Sequence, residues 1–119
     1  PMPSRYVILH HMIGQGEHWD LMLEQGEVLL TWQLLRAPFD ARGLPVAARR
    51  IGDHRKAYLE YEGPISGDRG FVRRVDVGDC EFRECTPALL RIKVFGGRLC
   101  GTFELRLDQG DSWTLACGD

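Results

Sequence analysis

The chain has 119 residues, of which 44% are hydrophobic and 27% are charged, and its formal net charge at pH 7 is −2. This composition fits one globular domain over residues 1–119, and it excludes both wholesale disorder and a generally basic protein that coats nucleic acid. A local basic patch is still compatible with the net charge, because association responds to the local field. No apolar stretch approaches the roughly 20 residues that span a bilayer, and no signal peptide is recognisable, so we expect a cytoplasmic protein.

The first half of the chain has the pattern of short strands separated by turns. We predict strands at residues 5–11, 18–24, 27–35 and 46–51, because each is an apolar run or alternates apolar and polar residues. Between them lie a glycine-containing loop at 12–17, a turn at Gln25-Gly26, and a loop with several breakers at 38–45. Residues 52–63 could hold a turn or a short helix.

The second half continues in the same way after a stretch rich in glycine and proline at 63–70. We predict strands at 71–77, ended by Gly78-Asp79, and at 90–95, 98–107 and 112–117. Gly96-Gly97 is a strong hairpin signal. Seven or eight short strands in a chain of this length favour a mainly β fold, a small closed or nearly closed antiparallel β-barrel, since closure removes exposed strand edges.

The cysteines do not have the spacing of a zinc knuckle or a redox motif, because none of them forms a C-x-x-C pair. In a reducing cytoplasm we expect free thiols that are buried or half-buried. The four are Cys80, Cys85, Cys100 and Cys117.

The strand at 18–24 carries two chelating side chains on one face. Period-2 geometry places His18, Asp20 and Met22 side by side, with neighbours on that face roughly 7 Å apart. An imidazole and a carboxylate at this spacing can share one cation, and they suit manganese, iron or zinc. His11 reaches the same place if its strand pairs with this one, which would leave open positions for water or substrate. The alternative interpretation is that His18 and Asp20 simply form the solvated face of a strand.

A second polar group consists of Asp53, His54 and Tyr58. A histidine and a phenol four residues apart lie on one side of a helical turn, where they could donate hydrogen bonds to an anion. The surrounding cations make this the most basic stretch of the chain: Arg49, Arg50, Arg55 and Lys56. The alternative interpretation is a charged loop in which Tyr58 packs against the core.

In this order, these motifs resemble the 3′-phosphoesterase domain of bacterial DNA ligase D and its stand-alone relatives. That family reads F-V-I/V-Q-x-H, a short loop, H-Y-D-F/L-R-L-E, and then S-W-x-V/L-P-K-G-P. This chain has YVILHH at residues 6–11, HWDLMLE at 18–24 and TWQLLRAP at 31–38. The family continues with E-D-H-x-x-x-Y-x-x-F-E-G, and this chain has GDH at 52–54, a tyrosine at 58 and YEG at 61–63. The glycines at 96, 97 and 101 and Trp113 are similar to the family's last strands.

The resemblance implies a β-barrel that carries a manganese ion on two histidines and an aspartate, here His11, His18 and Asp20. It implies that His54 and Tyr58 contact phosphate, with His54 donating a proton to the leaving oxygen or stabilising the developing charge. We expect Asp53 to orient His54.

The implied activity is metal-dependent phosphoester hydrolysis at 3′ ends of nucleic acid. It would remove a 3′-phosphate or a 3′-terminal ribonucleotide from DNA or RNA-tailed DNA in DNA repair. A DNA ligase or an end-joining protein is the implied partner, Mn²⁺ is the implied cofactor, and we expect a monomer.

The chain departs from the family pattern at Met22, where the family has an arginine that would clamp phosphate. Arg49, Arg50 or Arg55 could replace that clamp only if the barrel brings one of them over the site. The departure leaves open a catalytically weakened or inactive module that binds 3′ ends. His18-x-Asp20 also imitates the facial triad of an iron oxygenase, although the only downstream histidine is His54.

Overall fold

Nine β-strands make up most of the computed structural model, which describes residues 3–39 and 44–118. A 3₁₀ turn spans Lys56–Leu59. The strands are β1 (Ser4–Ile13), β2 (Gly16–Gln25), β3 (Val28–Leu34), β4 (Val46–Arg55), β5 (Gly63–Pro64), β6 (Phe71–Cys85), β7 (Leu89–Gly96), β8 (Cys100–Gln109) and β9 (Ser112–Cys117). Part of the loop predicted at 38–45 falls on residues 40–43, which lie outside the described residues. No helix in the described ranges has the length and apolar character of a membrane-spanning segment.

Eight of these strands close into an antiparallel barrel in the order β1-β2-β3-β4-β9-β8-β7-β6, and β6 pairs back with β1. The closing pair runs from Ser4 opposite Cys80 to Met12 opposite Phe71, with an irregularity between Ile8 and Leu9. The short β5 pairs with β6 outside this ring. Closure gives each barrel strand two hydrogen-bonded neighbours, so the predicted closed β-barrel is confirmed.

Several predicted boundaries are wrong. The strand predicted at 46–51 continues to Arg55 and so includes His54, which was predicted to lie in a turn or short helix. The loop predicted at 12–17 is only a two-residue turn, because β1 and β2 stay paired as far as Ile13 opposite Gly16. The strand predicted to end at Gly78 continues to Cys85. A Cβ at Gly78 would overlap the carbonyl oxygen of Phe95, so this glycine allows the close approach of β6 and β7 rather than making a turn.

The strands β1 and β2 contribute to two apolar clusters, because successive side chains point to opposite faces. The larger cluster fills the barrel interior and includes Trp19, Leu21 and Leu23 at its β2 side. The smaller cluster, here called the outer cluster, lies on the outer face and consists of Val7, Leu9, Met22, Leu29, Leu59 and Val72. The 3₁₀ turn contributes Leu59 to it, and Tyr58 and Ile65 pack against it. The outer face of the β1–β2 hairpin is therefore covered rather than solvated.

A buried polar network joins β1, β6 and the turn before β8. The Tyr6 hydroxyl donates to Asp76 Oδ2 at 2.6 Å. Asp76 also accepts the backbone N–H groups of Arg98 and Leu99, each at 2.9 Å. Burial raises the pKa of the Tyr6 phenol well above its ordinary value, and the hydrogen bond to Asp76 raises it further. A Cβ at Gly96 would overlap the Tyr6 hydroxyl, so the network depends on a glycine at that position.

The cysteines are free, and only Cys80 is buried. The expectation of buried or half-buried thiols is wrong for Cys85, Cys100 and Cys117, which are exposed because they lie at strand ends. Burial raises the pKa of the Cys80 thiol to about 12, with a smaller contribution from the nearby Asp79 carboxylate. A thiol of that pKa is protonated and unreactive at neutral pH.

We expect a thiol reagent at about pH 8 to label the three exposed cysteines quickly and Cys80 only after unfolding, because Cys80 is both enclosed and protonated. Counting of labelled sites by intact-mass spectrometry, with and without denaturant, measures this. A Cys80→Ala variant should lose only the denaturant-dependent label. Equal labelling rates at all four thiols in the native protein would contradict the buried placement of Cys80.

Candidate metal and phosphate site

Three side chains with metal-ligating atoms meet on the outer face of the β1–β2 hairpin. His11 lies directly opposite His18 in the strand register, and Asp20 lies opposite Leu9. Antiparallel pairing and the two-residue period bring all three side chains to one face. Their candidate ligand atoms lie within 4.8 Å of one another. The structure thus brings together His11, His18 and Asp20, here called the triad.

The Asp20 carboxylate is the centre of the triad. It is 4% exposed, with Oδ1 at 2.6 Å from His18 Nδ1 and Oδ2 at 3.2 Å from His11 Nδ1. On its other side, the His11 ring donates from Nε2 to the backbone carbonyl of Arg69 at 2.7 Å. Because a carbonyl oxygen only accepts, the proton of the neutral His11 ring lies on Nε2, and the Nδ1 lone pair faces Asp20.

The residues of the triad fit a divalent metal. The lone pair of His11 Nδ1 and the Asp20 carboxylate oxygen that faces it need a positive charge between them, which a proton on Nδ1 or a bound cation supplies. A donor set of two imidazole nitrogens and one carboxylate suits manganese, iron or zinc. The bond from His11 to the Arg69 carbonyl has the form of the outer hydrogen bonds that fix the ring orientation of metal-binding histidines.

His11 and Asp20 of the triad line a pocket of about 160 Å³, here called the triad pocket. His54 from β4 and Tyr58 from the 3₁₀ turn reach the same pocket, although they are far from the triad in sequence. The residues that line it are Leu9, His11, Ile13, Asp20, Met22, His54, Tyr58, Ile65, Arg69 and Val72. Two hydrogen-bonding side chains therefore line the same pocket as residues that can bind metal.

His54 and Tyr58 pack edge to face, with 5.5 Å between their ring centroids. His54 donates from Nδ1 to the carbonyl of Gly52 at 3.0 Å, which leaves Nε2 as the ring nitrogen available to a ligand. Tyr58 in turn packs edge to face on Tyr61 at 5.8 Å. Since Tyr58 also packs against the outer cluster, its ring is held in place from more than one side.

Met22 forms part of the apolar wall of the triad pocket. It follows Asp20 by two residues on β2, so it lies on the same face, and it is 1% exposed. Its thioether packs within the outer cluster and offers only a weak acceptor. At this position β2 thus supplies packing and no hydrogen-bond donor.

The charged residues predicted to surround His54 do not gather around it in the structure but lie at different sites. Arg55 lines an adjoining pocket of about 240 Å³ together with Tyr58 and Tyr61. Arg49 donates from Nε to Asp111 at 3.1 Å. The Arg50 guanidinium lies 4.3 Å from the centroid of the Trp32 ring, and its Nη2 lies 3.7 Å from Asp53 Oδ1. In the described part of the chain, Arg49, Arg50 and Asp53 do not line the triad pocket, and His54 takes its orientation from the Gly52 carbonyl.

Arg69 is a pocket residue that sequence reasoning missed. It lies in the turn between β5 and β6, which is held by a hydrogen bond from Ile65 N to the Gly70 carbonyl at 2.8 Å. Gly70 has φ +90°, and a Cβ there would overlap the carbonyl of Met12. The glycines of residues 63–70 indicated only a break in structure. These glycines also let the turn pack closely against β1 beside His11, and this contact depends on the pairing of β1 with β6.

One family model, described as the DNA Ligase D 3′-phosphoesterase domain, matches residues 9–106. The match includes the triad, His54, Tyr58 and the turn that carries Arg69. No curated protein matches the chain.

Proposed function

Because the chain belongs to the DNA ligase D 3′-phosphoesterase domain family, we propose that it hydrolyses phosphoesters at 3′ ends of nucleic acid with a divalent metal. We propose Mn²⁺ as the metal and DNA repair as the setting. The substrates would be strands that end in a 3′-phosphate or a 3′-terminal ribonucleotide. The observation that carries this proposal is the meeting of the triad with His54 and Tyr58 around one pocket.

Each polar residue of the pocket has a chemical task in this proposal. A divalent metal held by His11, His18 and Asp20 would supply Lewis-acid polarisation of the phosphate. His54 uses Nδ1 on the Gly52 carbonyl, which leaves Nε2 for the substrate, and in its imidazolium form the ring would donate the Nε2 proton to the leaving oxygen. The Tyr58 hydroxyl would donate a neutral hydrogen bond to a phosphate oxygen.

A strand end is a better fit to this molecule than a long duplex. Non-specific affinity for duplex arises from many phosphate contacts by lysine and arginine, and this chain has a net charge of −2. Several of its arginines are moreover engaged by acidic side chains, among them Arg5 with Glu24, Arg49 with Asp111, and Arg91 with Glu104. Recognition would then concentrate on one terminal phosphate in the pocket.

The test is a primer–template that bears a 3′-phosphate or a 3′-terminal ribonucleotide, incubated with and without Mn²⁺. We expect removal of the 3′-phosphate, or of the terminal ribonucleotide, only with the metal, and loss of both activities in His18→Ala, because the triad then lacks one ligand. His10→Ala is the matched control, since His10 lies on the neighbouring position of the same hairpin, where it contacts Glu17 and stacks on Trp19. Wild-type protein that leaves both ends intact under all metal conditions would disprove the enzymatic proposal.

The apolar environment of Met22 favours a second candidate, a weakened or inactive module of the same family that binds 3′ ends. Such a module would bind a 3′-phosphate end more tightly than a 3′-hydroxyl end and release it unchanged. Fluorescence anisotropy with the two labelled strands, measured on the samples used for the cleavage assay, separates the candidates. Selective binding without cleavage supports the module, and cleavage supports the enzyme.

A further inference from the structure

We propose that Arg69 is the cation that grips the terminal phosphate in the triad pocket. This inference rests on the proposed function, because it names the group that would hold the substrate of that site. The ligand is a phosphomonoester or phosphodiester at the 3′ end of a strand. Three independent features carry the inference: the charge of the pocket, the hydrogen bonds of the guanidinium, and the attachment of the turn to β1.

The charge of the pocket points to Arg69. Among the described residues that line it, Arg69 is the only one with a permanent positive charge, and Asp20 contributes a carboxylate to the same lining. A phosphate placed beside a carboxylate needs compensating positive charge, and a guanidinium provides it together with directed hydrogen bonds. Met22, which faces this pocket from β2 beside Asp20, carries no charge and cannot supply that compensation.

The guanidinium of Arg69 is oriented before any ligand arrives. Its Nε donates to the Ser66 carbonyl at 2.7 Å, and its Nη2 donates to Ser66 Oγ at 3.2 Å. These two bonds occupy the edge formed by Nε and Nη2. The edge formed by the two Nη groups keeps N–H donors directed away from Ser66, in the planar geometry that binds two oxygens of a phosphate. Because these bonds already restrict the Arg69 side chain, it loses less conformational entropy on binding phosphate than a freely rotating arginine would.

The backbone of Arg69 and its side chain perform separable tasks. The carbonyl of Arg69 accepts from His11 Nε2 at 2.7 Å, and the following Gly70 seats the turn against Met12. Replacement of the side chain leaves that carbonyl and glycine in place. An Arg69 variant should therefore weaken the grip on phosphate while the triad keeps its affinity for metal.

The experiment compares Arg69→Gln with Arg73→Gln, a matched loss of one exposed arginine on β6 outside the triad pocket. We expect Arg69→Gln to lower kcat/KM for a 3′-phosphate end by about 10²–10³, in line with the loss of one transition-state donor. It should also lose the preference for 3′-phosphate over 3′-hydroxyl strands in fluorescence anisotropy. Affinity for Mn²⁺ alone, followed by electron paramagnetic resonance, should stay unchanged, and Arg73→Gln should match wild type in all three measurements.

The conservative variant Arg69→Lys keeps the charge and loses the planar fork, so its kcat/KM should lie between those of wild type and Arg69→Gln. An active wild type with equal kcat/KM in Arg69→Gln and Arg73→Gln would overturn the role of Arg69 and leave the proposed function standing. Wild type that neither cleaves nor prefers 3′-phosphate ends would overturn both. Loss of Mn²⁺ affinity in Arg69→Gln would show that the side chain supports the triad instead, which also overturns the proposal.

Discussion

Asp20→Asn is expected to abolish Mn²⁺-dependent cleavage and to reduce affinity for Mn²⁺ by more than about 100-fold, beyond the loss typical of an outer-sphere residue. The reason is the central place of Asp20 in the triad, with one carboxylate oxygen near each histidine. An amide offers one oxygen and no negative charge. Its NH₂ group would also face one of the imidazole nitrogens that the metal needs.

Thermal unfolding gives a readout of this change that does not depend on activity. A ligand that binds only the folded state raises the melting temperature, so Mn²⁺ should raise Tm for wild type and leave it unchanged for Asp20→Asn. Glu17→Gln is the matched control, because Glu17 lies on the same hairpin and contacts His10. A variant at Asp20 that binds Mn²⁺ as tightly as wild type would remove the triad as the metal site.

Asp76→Asn is expected to lower the free energy of unfolding by about 3 kcal/mol, because buried hydrogen bonds to a charged group are lost and a buried donor is left unpaired. The carboxylate accepts from Tyr6, Arg98 and Leu99 through its two oxygens. An amide can place its oxygen on only one side. In either orientation its NH₂ group meets a backbone N–H, since Arg98 donates to one oxygen and Leu99 to the other.

Urea unfolding followed by tryptophan fluorescence measures this effect, since Trp32 and Trp113 lie in the barrel interior. Asp79→Asn provides the control on the same strand, where Asp79 is exposed, and its midpoint should stay close to that of wild type. Equal unfolding midpoints for the Asp76 and Asp79 variants would contradict a stabilising role for the network.

Features of the site that follow from local periodicity could be predicted from the sequence. The alternation of residues 18–24 placed His18 and Asp20 on one face, and the short turn at Gly14 brought His11 opposite His18. Both results need only the geometry of a strand and a hairpin. The spacing of His54 and Tyr58 likewise indicated two side chains that act together, although β4 and the 3₁₀ turn hold them rather than one helix.

Features that depend on distant pairing could not be predicted. Arg49 is engaged by Asp111, which is 62 residues away in the sequence, and Arg50 packs on the ring of Trp32 from another strand. Arg69 reaches the triad pocket only because β6 pairs with β1 and closes the barrel. A glycine as a site of close approach, as at Gly78, cannot be told from a glycine in a turn without knowing the neighbouring strand.

One face of β2 packs in the barrel interior and the other carries His18 and Asp20. The register of the β1–β2 hairpin therefore determines both the packing of the core and the assembly of the triad. A slip of one residue would reverse the direction of every side chain, so that Asp20 would enter the barrel interior and Leu21 would point into the pocket. A carboxylate without a partner would then replace an apolar contact in the core, while the three candidate metal ligands would be separated at the same moment. If the triad binds metal as proposed, metal binding by a preparation would report the fraction of hairpins with native register.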